Sequence, residues 1–202
     1  MRYETFFFLK KTVIMKPSKG YPIKLALLGT TGVGKDTAVC IINEIFPNLS
    51  TQVIRLADPL YEAQNAIYKI CNKEKEYYTQ DGELLNFLGQ HMRKINPQVI
   101  QNSFERAIKK ISPHIHLIIC CDVRPLDVPF VRNEGFFILN IIADPMIALE
   151  RRRLRGDLSL GSVSHSTEEG LASRLYDYQI ANNGSLQEFK QKIIKTIREL
   201  MP

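Results

Sequence analysis

Leu27-Leu28-Gly29-Thr30-Thr31-Gly32-Val33-Gly34-Lys35-Asp36-Thr37 is the stretch that decides how this chain is read. An apolar run of β character, Ile23 to Leu28, leads into it, and a helix-periodic segment with Ala38, Val39, Ile41, Ile42 and Ile45 leads out. The order is strand, glycine-rich loop, helix. In that context the spacing G-x-x-x-x-G-K is a phosphate-loop pattern: backbone N–H groups wrap a polyphosphate and the lysine reaches its outer phosphates. The helix adds its free N–H groups and the positive end of its dipole to the same anion. Gly29, Thr30, Gly32, Val33, Gly34, Lys35, Asp36 and Thr37 are thereby assigned to a nucleotide's phosphates. The plain alternative, a glycine-rich turn with an exposed lysine, does not explain the buried strand and amphipathic helix on either side. Asp36 stands where a hydroxyl usually meets Mg²⁺, and Thr37 restores a hydroxyl one residue later.

Outward from the loop, helix 1 should run to about Phe46 and stop at Pro47. Val53, Ile54 and Leu56 make a second strand. Asp58-Pro59 then opens a helix whose stripe is Leu60, Ala63, Ile67 and Ile70. Lys73 to Gln80 reads as an exposed connection. Asp81 to Lys94 is helical with Leu84, Leu85, Leu88 and Met92 inward, although Gly89 weakens it by about 1 kcal/mol relative to alanine. Asn96-Pro97 opens a further helix that buries Val99, Ile100, Phe104, Ala107, Ile108 and Ile111.

Leu117 to Asp122 is an apolar run ending in an acid, as in a central parallel strand with a carboxylate at its tip. Phe136 to Ile142 is a fourth strand, and Asp144-Pro145 opens a helix that ends in Arg151-Arg152-Arg153-Leu154-Arg155. Gly156 to Val163 reads as a loop, Ser166 and Glu169 as a capping box for a helix from Thr167 to Leu175, and Tyr178 to Ala181 as a last strand. Ser185 and Glu188 form another capping box, before a helix carrying Leu186, Phe189, Ile193, Ile197 and Leu200 on one side. The alternation predicts a three-layer α/β/α domain of about five mostly parallel strands. Residues 1–20 read as an extension, 21–202 as the domain, 72–113 as a helical acceptor-binding insertion and 151–168 as a lid.

Composition agrees with a globular protein: 45% hydrophobic and 24% charged residues are ordinary for one domain of 202 residues. The net charge of +6 favours an anionic partner, and because lysines and arginines are dispersed, phosphates fit better than nucleic acid. The apolar pieces of the first 15 residues are broken by Lys10 and Lys11, too short for a membrane span and poor as a signal peptide. Cys40, Cys71, Cys120 and Cys121 show no metal or disulfide framework, so reduced thiols and a cytoplasmic setting are expected. His91, His114 and His116 lack metal-ligand partners at suitable spacing, and His165 reads as a loop contact rather than a base. A homodimer is compatible with the sequence.

Phosphoryl transfer asks a protein for in-line positioning and for positive charge around the transferred group. Lys35 supplies part of that charge, and Asp36 and Asp122 are the acids best placed to hold Mg²⁺, directly or through water; the alternative for Asp122 is a carboxylate that merely ends its strand. Arg151 and Arg155, four apart, share one helix face beside a loop, which suits either a lid closing over phosphates or a solvated basic helix end. On that pattern Arg152 faces away. Asp58 at the tip of strand 2 is a helix cap, a ligand contact, or both. Arg93 and Arg124 suit an acceptor phosphate, or surface ion pairs.

Several segments together resemble the phage-type deoxynucleoside monophosphate kinases within the P-loop nucleotide kinase superfamily. These are Gly34-Lys35-Asp36-Thr37, Ala57-Asp58-Pro59-Leu60, Leu88-Gly89-Gln90 with Arg93, Asp122-Val123-Arg124, His165-Ser166, and Ile180 to Ser185. The resemblance covers about residues 23 to 200 and departs at Pro125-Leu126-Asp127, where a more polar helix start is expected. It implies transfer of the ATP γ-phosphate to a nucleoside monophosphate with Mg²⁺. Lys35 would stabilise the transferring group, and Asp58, Arg93 and Arg124 would lie on the acceptor side. Arg151 and Arg155 would form the lid, with Asn182 and Asn183 near the adenine. Dephospho-coenzyme A or phosphomevalonate is the rival acceptor on the same fold. A nucleotide switch without transfer is the other class, disfavoured because no Asn-Lys-x-Asp tetrapeptide occurs.

Overall fold

Alternate side chains of the central strand dictate a layered arrangement. In β1 (Ile23–Leu28), Leu25 and Leu27 point to one face and Ala26 and Leu28 to the other, and all four are fully buried. Such a strand must be covered on both sides. The computed structural model describes residues 22–159 and 175–200 and shows that cover.

Five strands form one sheet in the order β2-β3-β1-β4-β5, with β2 Thr51–Ile54, β3 Leu117–Val123, β4 Phe137–Ile142 and β5 Tyr178–Ala181. Every pairing is parallel. On one face, α1 (Lys35–Ile45) and α7 (Leu186–Leu200) pack Ala38, Ile41, Ile42, Phe189, Ile193 and Ile197 onto Leu25, Leu27, Ile119, Leu139 and Ile141. On the other, α4 (Val99–Lys109) and α5 (Val128–Asn133) bring Ile100, Phe104, Val128 and Val131 onto Ala26, Leu28, Ile118, Cys120 and Ile138. The remaining helices, α2 (Asp58–Ile70), α3 (Gly82–Ile95) and α6 (Pro145–Arg155), flank the ends of the strands where β1 runs into its loop. Among the described residues no helix is long and apolar enough to cross a membrane.

Several caps form as expected. Asp144 Oδ1 accepts from Met146 N at 2.8 Å, while Asp81, read as the first residue of its helix, is instead the cap of α3, its Oδ1 accepting from Leu84 N at 3.1 Å. Ser185 and Glu188 exchange both bonds of their box, at 3.0 and 3.3 Å. Other expectations are corrected. β2 ends at Ile54, two residues before Leu56, so the chain turns early and Ala57 takes the N-cap of α2. Asp58 therefore lies inside the first turn, and no side chain caps that helix. The inward face of α2 carries Tyr61 and Gln64, whereas Ile70 is 79% exposed. A polar residue is needed there because peptide groups of the following connection require a partner.

α4 starts at Val99 rather than at Asn96-Pro97, whose asparagine Oδ1 instead accepts from Gln98 N at 3.0 Å. A 3-10 turn over Pro125–Asp127 leads into the short α5, so a helix does start here although its opening residues are less polar than the resemblance implies. Leu186 is exposed, not part of the buried stripe of α7. Cys40 and Cys71 are exposed, Cys120 and Cys121 buried, and all four are free. The extension 1–20, the capping box Ser166/Glu169 with the helix expected from Thr167, His165, and lid residues 160–168 lie outside the described residues.

Candidate active site

Parallel strands put their C-terminal ends, and the loops that follow them, at one edge of the sheet. There a cleft of about 810 Å³ opens. Its floor is the β1–α1 loop. Gly34, the N-cap of α1, has φ +104°, and a Cβ on it would come within 2.5 Å of Asn182 Nδ2. That amide donates to Val33 O at 2.8 Å, so the buried Asn182 at the end of β5 braces the loop from behind. Gly32 has φ +86° and packs so tightly on α6 that a Cβ would collide with the Ala148 carbonyl. Glycine is required at both points. Lys35 Nζ donates to Gly29 O at 2.6 Å and Thr30 O at 2.7 Å, which holds the ammonium across the mouth of the loop.

Two further strand tips contribute. Asp122, near the end of β3, accepts from Leu56 N at 2.9 Å and Ala57 N at 2.8 Å, one bond to each carboxylate oxygen. It thereby fixes the turn after β2; Oδ1 also accepts from the Cys120 thiol at 3.6 Å, and Oδ2 keeps a second lone pair. Arg55, just past β2, lies 3.7 Å from the exposed carboxylate of Asp36 and 4.3 Å from the centroid of the Tyr78 ring. Burial opposes its charge, but the surrounding Cys121, Tyr78, Asp36 and Asp122 outweigh that and raise its pKa. Burial also pushes the Cys121 thiol up to about 12, so it is inert at neutral pH.

The far end of the cleft lies between α3 and the turn after β3. Arg93 Nη1 donates to Gly89 O at 3.1 Å, and its Nη2 lies 3.5 Å from Asp127 Oδ1. Asp127 is buried; desolvation raises its pKa and the Arg93 charge works against that rise. Arg124 lines the same end. At the mouth, Arg155 bonds Asp157 through Nε (2.6 Å) and Nη2 (2.7 Å), and Arg151 Nη1 donates to Asn182 O at 3.1 Å.

No known protein family matches the chain, and no curated protein matches its sequence. Solved structures do match. The APS kinase of Mycobacterium tuberculosis, in complex with AMPPNP and APS, superposes with a TM-score of 0.54 over 88% of this chain and 98% of its own, at 12% identity. TT1252 from Thermus thermophilus gives 0.51 over 90% and 100%, at 14% identity. Shikimate kinase from Acinetobacter baumannii, in complex with shikimate, gives 0.50 over 89% and 95%, at 12% identity. This chain has the P-loop kinase fold.

Within that P-loop kinase fold, most residues singled out in the sequence meet in one place. Gly32, Gly34, Lys35, Asp36, Thr37, Arg93, Asp122, Arg124, Arg151, Arg155 and Asn182 all line the cleft. Gly29 and Thr30 take part through the carbonyls that receive Lys35, and Val33 through the one that receives Asn182. Asp58 and Asn183 stand outside the lining. Asn183 Oδ1 accepts from Asp144 N at 2.7 Å, and Asp58 accepts from Tyr78 Oη at 3.3 Å. Burial, with the nearby charge of Asp122, raises the Asp58 carboxyl above its usual range. Arg152 does not face away: it is 4% exposed, lies against Gly32 and pairs with Asp157 at 3.6 Å.

Arg55, Tyr61, Tyr78, Gln80, Asp127 and Asp157 line this P-loop kinase cleft without having been expected there. The position of Arg55 directly after a strand could have flagged it. Gln80 ends a connection that reads as merely exposed, and Asp127 sits in an apolar context that hides it. Mg²⁺ in phosphate sites keeps several waters and takes one or two carboxylates besides phosphate oxygens. Asp36, 63% exposed, and Asp122, with a lone pair left on Oδ2, fit that requirement.

Proposed function

We propose that the chain is a phosphotransferase that moves the γ-phosphate of ATP to a nucleoside or deoxynucleoside monophosphate. One observation carries this reading: a single cleft joins the phosphate loop to a second arginine-bearing end at Arg93 and Arg124. A nucleotide switch needs only the first end. In this reading Lys35 and the loop amides hold the β- and γ-phosphates, and Arg155 draws charge from the transferring group. Arg93 and Arg124 grip the acceptor phosphate in line with it, and Arg151 and Asn182, with Asn183 nearby, flank the donor base. Asp36 and Asp122 would hold Mg²⁺, directly or through water, and it would supply positive charge against that of the phosphates. The partner is then a small nucleotide rather than nucleic acid, and the setting is the cytoplasm.

A coupled ADP-release assay over ribo- and deoxyribonucleoside monophosphates, run beside dephospho-coenzyme A and phosphomevalonate, tests the proposal. Turnover of at least one nucleoside monophosphate is expected. If none reacts while dephospho-coenzyme A or phosphomevalonate does, the acceptor class is wrong. If nothing reacts although ATP binds, phosphotransfer itself is refuted for this panel's chemistry.

A further inference from the structure

Gln80 ends the connection between α2 and α3, across the cleft from the phosphate loop. One fully buried side chain holds both of its flanking peptides: Gln64 Nε2 donates to Thr79 O at 2.9 Å, and Gln64 Oε1 accepts from Asp81 N at 3.1 Å. The carbonyl of Gln80 itself accepts from Leu158 N at 2.9 Å, and Ser159 Oγ donates to Asp81 Oδ1 at 2.6 Å. With its backbone so pinned, the side chain of Gln80 is an arm of fixed origin. Its Oε1 accepts from Arg155 Nη2 at 3.1 Å and from Thr31 Oγ1 at 3.3 Å, which uses both lone pairs. Tyr61 of α2 lines the cleft beside the same carboxamide. Three parts of the cleft thus meet at one amide: the phosphate loop, the base of the lid and the helices on the acceptor side.

The consequence falls on Arg155. Asp157 grips its Nε and Nη2 edge, and Nη2 reaches on to Thr31 Oγ1 at 3.2 Å as well as to Gln80. A guanidinium held by one carboxylate swings with that carboxylate. A second anchor on a different element fixes the plane. Among the described residues Nη1 has no hydrogen-bond partner, and Arg155 lines the cleft. We propose that Gln80 is a positioning residue: it sets the Nη1 edge of Arg155 toward the phosphate being transferred, and ties that placement to the acceptor-side connection on which Gln80 rides. The inference rests on the phosphotransfer reading above.

The test is a double-mutant cycle on the full chain with Gln80→Met, which keeps the length and loses both hydrogen-bonding groups, Arg155→Met, and the two combined. Affinity for AMPPNP with Mg²⁺ is read by calorimetry, kcat by ADP release with the best acceptor, and folding by thermal melting. Gln80→Met is expected to melt close to wild type, to bind AMPPNP several-fold more weakly, and to lose about tenfold to a hundredfold in kcat through misplacement of one group. The combined variant should be no worse than Arg155→Met alone, because the proposal routes the effect of Gln80 on the transferring phosphate through that arginine. Gln80→Ala repeats the cycle should the methionine disturb folding. Unchanged affinity and kcat in Gln80→Met, or losses that multiply in the combined variant, overturn the inference. If wild type binds AMPPNP but turns over no acceptor, the phosphotransfer reading fails by itself, and the affinity cycle still decides whether Gln80 acts through Arg155.

Discussion

Replacing Gly34 with alanine perturbs the point at which the phosphate loop becomes a helix. The residue sits at φ +104°, where a non-glycine backbone costs about 1–3 kcal/mol. The new methyl would stand 2.5 Å from Asn182 Nδ2 and 3.5 Å from Phe189 Cε1, so the asparagine amide must move. Moving it breaks the 2.8 Å bond to Val33 O, and an orphaned buried amide costs about 1–3 kcal/mol more. The sum is roughly 2–6 kcal/mol, which for a chain of this size lowers Tm by roughly 5–20 °C. Thermal unfolding of Gly34→Ala, Asn182→Ala and the double variant is the assay. In the Asn182→Ala background the methyl meets no amide, so Gly34→Ala should cost only the backbone part, leaving a coupling of about 1–3 kcal/mol. A single variant that melts within 2 °C of wild type, or a strictly additive pair, would refute the brace between Asn182 and the loop.

Three other outcomes are expected. Lys35→Ala should lower kcat by roughly 10²-fold or more, because it removes charge aimed at the transferring group; unchanged turnover in the ADP-release assay would dismantle the site assignment. Asp127 has a folded-state pKa above its ordinary value, so the stability it favours is present at low pH and declines as pH rises from about 4 through that higher value. Arg93→Met removes the opposing cation and should steepen the decline, whereas Asp127→Asn should flatten it, as read from urea midpoints between pH 4 and 8. Asp144→Ala should destabilise by about 1 kcal/mol through loss of a helix cap, while Asp58→Ala, whose side chain caps nothing, should stay within about 0.5 kcal/mol of wild type.

The contrast between those two aspartates shows where the sequence was legible. Asp144-Pro145 and Asp58-Pro59 are spelled alike, yet only the first becomes a cap. The difference is the length of the preceding strand, and strand ends depend on pairing with a neighbour: β2 pairs with β3 only through Ile54, and Asp122 then pulls Leu56 and Ala57 into a turn. Short-range signals such as the glycine spacing and the Ser185/Glu188 box survive into the structure because the groups they engage are close in sequence. The same holds for β1 and β3, whose buried residues Leu25–Leu28 and Leu117–Cys121 are continuous apolar runs. What stayed hidden is long-range. Gln80 reaches Thr31 and Arg155 across separations of 49 and 75 residues. Arg152, in a run of arginines, is buried because Asp157 folds back under it while α6 packs on the loop at Gly32. A polar residue inside the α2 face reads as a flaw in the stripe until the peptides it serves, at Thr79 and Asp81, are in place.

Charge in the cleft points the same way. Lys35, Arg55, Arg93, Arg124, Arg151 and Arg155 face Asp36, Glu76, Asp122, Asp127 and Asp157, so the lining is almost neutral. A near-neutral cleft cannot concentrate polyphosphates by its overall field, as a basic groove does. Discrimination must come from where each charge is held, and the acids are what hold them. Asp157 fixes Arg155, Asp127 faces Arg93, and Asp122 secures the turn that follows Arg55. Each of these carboxylates trades attraction for placement, which suits in-line transfer better than tight binding, since rate depends on interactions strongest in the transition state. In the proposed reading, a divalent cation held by Asp36 and Asp122 would restore the positive charge so given up.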